Sequence, residues 1–167
     1  LLYFHKCYKF LFIFGNWNLS SKMSIDIAIT KKLSNFTLNV AFSAENMRTG
    51  LLGASGCGKS MTLKCIAGIE TPDSGHIIIN GRTVFDSQKH INIKPQKRKC
   101  GFLFQNYALF PTMTIQQNIE QVLYHLKAAE RQEKAREMLK FFKIEELAAQ
   151  KPYRLSGGQQ QRAALAR

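Results

Sequence analysis

Gly53-Ala54-Ser55-Gly56-Cys57-Gly58-Lys59-Ser60, GASGCGKS, is the stretch on which the fold turns. Its fixed positions, Gly53, Gly58, Lys59 and Ser60, satisfy the spacing GxxxxGKS. The glycines permit backbone angles that a side chain would forbid, so successive N–H groups can turn inward around an anion. A helix is expected from Met61 to Ala67, ended by Gly68, and its positive end would point at the same anion. Lys59 places a point charge on the terminal phosphates of a nucleotide, and the Ser60 hydroxyl suits the shell of a Mg²⁺ ion. Ala54, Ser55, Gly56, Cys57 and Met61 complete the residues expected at the nucleotide. A candidate strand over Thr49–Leu52, interrupted by Gly50, leads into the loop, giving the order strand, glycine loop, helix. The competing reading is an accidental glycine turn.

Upstream of the loop, Ile25, Ile27 and Ile29 alternate with polar neighbours, as do Leu38, Val40 and Phe42, which is the pattern of half-buried strands in a small antiparallel sheet. Downstream, TPDSG at Thr71–Gly75 is a turn by composition. His76–Ile79 and Thr83–Phe85 flank Asn80-Gly81, a strong hairpin signal. Gly101–Phe104 fits a buried strand and places the amide of Gln105 at its end, where ligand sites of α/β proteins gather. Between Thr114 and Lys127, Ile115, Ile119, Val122, Leu123 and Leu126 follow helical spacing, with Thr114 and Gln117 set as a capping box. Ala135, Met138, Leu139 and Phe142 mark a second helix, which ends before Pro152. At Leu155–Gln159, LSGGQ lets Ser156 cap a further helix, while Gly157 and Gly158 admit close approach of an anion to backbone amides; a plain glycine-rich N-cap would look the same in isolation.

The chain of 167 residues suffices for one hydrophobic core, and no segment approaches the roughly 18 apolar residues of a spanning helix. Its net charge of +13 is scattered. Lys6, Lys9 and Lys22, with Lys151, Arg154, Arg162 and Arg167, carry more than half of it at the two ends. The remaining dense group, Lys94, Lys97, Arg98 and Lys99, lacks interleaved aromatic residues and reads as a solvated connector rather than a nucleic-acid patch. Cys7, Cys57, Cys65 and Cys100 form no CxxC pair and have no histidine at zinc-ligand spacing, which fits a reducing compartment. Residues 1–22 precede the first methionine, Met23, and read as an upstream extension. The alanine-rich pattern running to Arg167 carries no stop signal, so a fragment is expected.

A glycine loop alone leaves kinases, GTPases and many ATPases open. GASGCGKS, LFQNYALFP and LSGGQQQR, in that order, resemble the ATP-binding subunits of ABC transporters over roughly Met23 to Arg167. The resemblance implies an α/β P-loop ATPase core with an N-terminal antiparallel β subdomain, together about residues 23–110, and an incomplete helical signature subdomain, about 111–167. It implies that Ser156, Gly157, Gly158 and Gln159 complete the ATP site of an opposing subunit in a head-to-tail homodimer. Gln105 becomes a catalytic residue beside Lys59, and with Ser60 a contact of Mg²⁺. Asn106–Thr114, through Tyr107, Leu109, Phe110 and Met113, becomes the surface that grips a transmembrane permease; its bland reading is local core. Phe36, where the family stacks adenine, also fits a strand and is expected to pack in the core.

Gly81–Thr114 most resembles importers of molybdate and sulfate type, with polyamine and iron importers close behind. The implied protein is peripheral on the cytoplasmic face of the membrane, bound to a permease and served indirectly by a solute-binding protein, with no nucleic acid. The family's metal-holding Asp, catalytic Glu and switch histidine would follow Arg167, so the residues given are expected to bind ATP without turning it over. Two other readings stay open: a soluble ABC ATPase acting on nucleic acid or ribosomes, and a non-catalytic nucleotide-binding fragment.

Overall fold

The computed structural model describes residues 24–45 and 49–167, and the backbone of residues 10–13. The rest of the expected upstream extension lies outside the described residues. Two compact units are formed, one up to Phe102 and one from Leu103 to Arg167.

The first unit is built on a five-stranded antiparallel sheet. Strands β2 (Ser24–Lys32), β3 (Thr37–Glu45), β4 (Ser74–Ile79), β5 (Arg82–Asp86) and β6 (Ile91–Asn92) lie in the order β3-β2-β4-β5-β6. The alternation read in the sequence sets the faces: Ile25, Ile27 and Ile29 are buried while their neighbours are partly open. The hairpin turns at Asn80-Gly81 as expected. Helix α1 (Lys59–Ala67) buries Leu63, Cys65, Ile66 and Ala67 in the same cluster as those isoleucines, Ile77, Ile79, Val84 and Phe85. A separate two-stranded sheet pairs β1 (Phe10–Ile13) with β7 (Cys100–Leu103).

The expected strand at Thr49–Leu52 is not formed. Leu52 is 83% exposed, and a strand needs a neighbour to take its backbone hydrogen bonds; Gly50 adds the entropy of an unconstrained residue. The basic connector also differs from expectation at one residue. Lys94, Lys97 and Lys99 are exposed, but Arg98 is 2% exposed. Its guanidinium donates to the carbonyls of Cys65 (2.8 Å) and Ile66 (3.0 Å) in the last turn of α1, to Ile93 O (2.7 Å) and to Asn92 Oδ1 (2.9 Å). A buried cation is tolerated here because its partners are carbonyls at the negative end of a helix. Gly68, which ends α1 in the left-handed conformation as expected, leaves the room: a Cβ there would stand 2.5 Å from Arg98 Nε.

In the second unit, α2 (Ile115–Glu120), α3 (Ala128–Phe141) and α4 (Gly157–Ala166) enclose Ile115, Ile119, Ala135, Leu139, Ile144, Leu147, Leu155, Ala163 and Ala166. The Thr114–Gln117 capping box is present. The helix expected to reach Lys127 stops at Glu120 and passes through a 3₁₀ turn at Gln121–Leu123. Val122 and Tyr124 are exposed, so the apolar stripe has nothing to bury against beyond Ile119 and Leu123, and Lys127 is already extended as the residue before α3. No helix among the described residues is long and apolar enough to cross a membrane.

Two substitutions probe this framework. Gly75 pairs with Ile29 at φ +102°, and a Cβ there would lie 1.9 Å from the carbonyl oxygen of Ala28. Gly75→Ala is therefore expected to cost more than about 3 kcal/mol in urea unfolding, and a loss under about 1 kcal/mol would contradict the close approach. Arg98→Met strips the hydrogen bonds from buried carbonyls and should cost about 2–4 kcal/mol, read as a lower denaturation midpoint.

Candidate nucleotide site

The glycine loop is open: Gly53 to Cys57 are exposed, and Gly58 to Ser60 are half-buried as α1 begins. Gly58 is the residue before the helix, at φ 92° and ψ 3°, and a Cβ there would meet Leu38 Cδ1 at 2.6 Å. Its carbonyl accepts from the amide of Thr62 (2.9 Å) and from Thr62 Oγ1 (3.1 Å), which fixes the first turn of α1. Glycine is thus required twice over at this position, by angle and by space.

Lys59 turns its ammonium back into the loop. Nζ donates to Gly53 O (2.7 Å) and Ala54 O (2.6 Å), and lies 3.5 Å from Cys57 Sγ. These three contacts match the donor capacity of an ammonium. A phosphate at this loop would offer the ammonium charged acceptors, and charge-assisted bonds to phosphate are stronger than those to neutral carbonyls. Ser60 and Met61, in the first turn of α1, sit beside the same cradle. A serine hydroxyl is a hard oxygen donor, the chemistry that suits Mg²⁺ held mainly by phosphate oxygens and water.

Phe36 corrects the expectation of core packing. Strand β3 begins one residue later, the ring is 40% exposed, and its Cε2 and Cζ stand 3.5 Å from the Cβ position of Gly58. The ring therefore lies open beside Gly58 rather than within the core. The three described cysteines differ in kind. Burial pushes the Cys65 and Cys100 thiols up to about 11, whereas Cys57 is exposed in the loop.

In the second unit, Gln105 is exposed in a turn, Gln105–Ala108, that follows β7 directly. Tyr107 (φ 60°) and Ala108 (φ 51°) are both left-handed, which costs roughly 1–2 kcal/mol for each side-chain-bearing residue. Tyr107 N donates to Phe104 O at 2.9 Å. Two side chains hold the segment from outside. Arg167 donates to Ala108 O, and its guanidinium carbon lies 5.2 Å from the centroid of the Phe110 ring. Asn118, fully buried in α2, accepts from Phe110 N (2.7 Å) and donates to Phe110 O (3.1 Å) and Thr114 O (2.9 Å). Of the expected surface residues only Phe110 is in the exposed class, at 43%; Tyr107, Leu109 and Met113 are half-buried, with Leu109 packed on the helical core.

Ser156 caps α4 as expected: Gln159 N donates to Ser156 Oγ (3.4 Å), and Ser156 N donates to Gln159 Oε1 (2.9 Å). Gly157 and Gly158 are exposed, and a Cβ at either would meet nothing within 4 Å. Their own fold therefore does not demand glycine, although each costs up to ~1 kcal/mol of helix propensity against alanine.

The structure thus gathers Gly53 to Met61 around one cradle, and places Gln105 and Ser156–Gln159 in the second unit, at a turn and at a helix start. Sequence reasoning did not identify Arg98, Asn118 or Arg167 as organisers. Asn118 left one signal, a polar residue between Ile115 and Ile119 on the buried face of α2.

Comparison with known proteins identifies the family. The sequence model of the family described as "ABC transporter" matches residues 35–167. A molybdate/tungstate import ATP-binding protein of Archaeoglobus fulgidus is 41% identical over 145 residues, which are 87% of this chain and 58% of that protein. A spermidine/putrescine import ATP-binding protein of Oleidesulfovibrio alaskensis is 45% identical over 122 residues, 70% of this chain and 30% of that protein. The chain thus spans less than two thirds of the length of these curated relatives. A bacterial ABC transporter cassette solved as a dimer superposes with a TM-score of 0.64 at 29% identity, covering 85% of this chain and 67% of that one. With a phosphate cradle, a capped LSGGQ helix and a family match over most of its length, the chain belongs to the ABC transporter family.

Proposed function

We propose that this chain is the nucleotide-binding part of an energy-coupling ATPase of an importer, for molybdate or a related anion. The observation that carries this reading is the pairing of two features: a cradle whose lysine is already gathered around its own loop, and a helix start opened by two glycines that its fold does not require. In this reading Gly53–Met61 hold the triphosphate of ATP, Lys59 neutralises its terminal phosphates, and Phe36 faces the base. Ser60 would hold Mg²⁺, with Gln105 assigned to the same ion by the family resemblance alone, and the ion would shield phosphate charge. Gln105 positions the attacking water.

Ser156, Gly157, Gly158 and Gln159 serve the nucleotide of a second copy, arranged head to tail. The dipole of α4 and the free amides of its first turn supply the attraction for that nucleotide. The open face of Phe110 receives a permease, which keeps the protein peripheral on the cytoplasmic side of the membrane, and a solute-binding protein acts on the permease rather than on this chain. The choice of anion follows likeness in Gly81–Thr114 and the molybdate/tungstate relative; the spermidine/putrescine relative supports a polyamine importer as the second reading.

Lys59→Ala in the full-length protein should abolish ATP hydrolysis and weaken binding of a fluorescent ATP analogue by about 10²-fold or more, since a charge-assisted contact to the terminal phosphates is removed. Turnover at the wild-type rate would sink the assignment of the loop. Ser156→Arg should leave that binding within about twofold while removing the ATP-dependent dimer seen by sedimentation, because a long cation blocks the approach to the glycine pair. An ATP-dependent dimer of normal strength would contradict the shared site.

A further inference from the structure

We propose that Arg167 is a positioning residue that holds the turn after Gln105 in its left-handed conformation from the end of helix α4, so that the helix and the turn change together. Two observations meet at this point. Tyr107 and Ala108 are consecutive residues with side chains at positive φ, a conformation that persists only where surrounding groups impose it. The group in place is the guanidinium of Arg167, which donates to Ala108 O and covers part of the Phe110 ring two residues on. Arg167 itself is fixed to α4, its amide donating to Ala163 O at 3.2 Å.

The opposite side of the segment is pinned differently. Asn118 grips Phe110 and Thr114 through buried hydrogen bonds, so residues from Phe110 onward are anchored to α2. Gln105–Ala108 lies between β7 and that anchor, and Arg167 is the contact that reaches it from α4. A strained turn with one external clamp has two states: clamped and left-handed, or released and relaxed. Gln105 stands at the head of this turn, and the glycines of α4 lie at the far end of the helix that carries the clamp. The inference rests on the reading of Gln105 and the glycine pair as parts of the ATP machinery, and it deepens that reading by naming the side chain through which one affects the other.

Full-length wild type, R167K, R167M and R167M/A108G separate this role from plain structural support. Amide hydrogen exchange at Tyr107 should rise roughly fivefold or more in R167M and less in R167K, which keeps a donor but loses the planar fork, while the Phe110 amide, held by Asn118, should stay protected. In R167M the kcat for ATP should fall about tenfold with KM within about twofold, as expected when an interaction matters after substrate has bound. Glycine at position 108 removes the cost of positive φ, so R167M/A108G should recover most of the lost kcat; a stability defect alone would not be rescued by a more flexible residue. Unchanged exchange in R167M, faster exchange with unchanged kcat, or absence of rescue by A108G would each overturn the proposal. The exchange measurement needs neither nucleotide nor partner, so it is independent of the ATP reading. That reading fails separately if Gln105→Ala hydrolyses ATP at the wild-type rate.

Discussion

Helix α1 is held at its C-terminus by electrostatic complementarity, and the glycine loop that leads into it depends on that anchor. At its C-terminus the carbonyls of Cys65 and Ile66 are met by the buried guanidinium of Arg98. At its N-terminus Gly58, at positive φ, turns the chain into the helix. A macrodipole favours a cation at the C-terminal end, and here that cation is built in. Between the ends, Leu63, Cys65, Ile66 and Ala67 fix the helix to the sheet through apolar burial. The cradle is therefore rigid where it meets the core and open where it meets solvent, which suits a site that must hold a ligand of high charge without rearranging for it.

Much of this was legible in the sequence wherever local chemistry decides the outcome. Alternation placed Ile25, Ile27 and Ile29 on a buried face, Asn80-Gly81 made its hairpin, the Thr114–Gln117 capping box formed as spelled, and Ser156 capped its helix. Each of these rests on residues a few positions apart. What was not legible depends on residues far apart in the chain. Arg98 looked like one more solvated cation among Lys94, Lys97 and Lys99, and only the fold brings it beneath a helix that ends some thirty residues earlier. Phe36 fitted a strand by type, yet the chain bends just before Thr37 and leaves the ring open beside Gly58. The strand expected at Thr49–Leu52 failed for a similar reason: apolar residues make a strand only when a neighbour accepts their backbone, and Leu52 stays in solvent.

The position of Lys59 bears on how such a loop behaves before its ligand arrives. Six residues of glycine-rich chain, with exposed carbonyls at Gly53 and Ala54, have little to hold them in a ring. The ammonium supplies that hold by donating to both carbonyls, drawing the two sides of the loop together. Part of the cost of ordering the loop is thereby met within the chain itself. This differs from a lysine that waits in solvent and must be recruited.

The glycines of the two motifs separate structural need from functional need. Gly58 is imposed by its own backbone, since its angle is left-handed and Leu38 occupies the space a side chain would take. Gly157 and Gly158 have ordinary helical surroundings and open space where a Cβ would stand. Alanine at both would make a better helix by the measure of propensity alone. A glycine that the fold demands says little about ligands, because it would be there in any case. A glycine that the fold merely tolerates, at an exposed helix start, is the kind that the proposed approach of a second copy's nucleotide would account for.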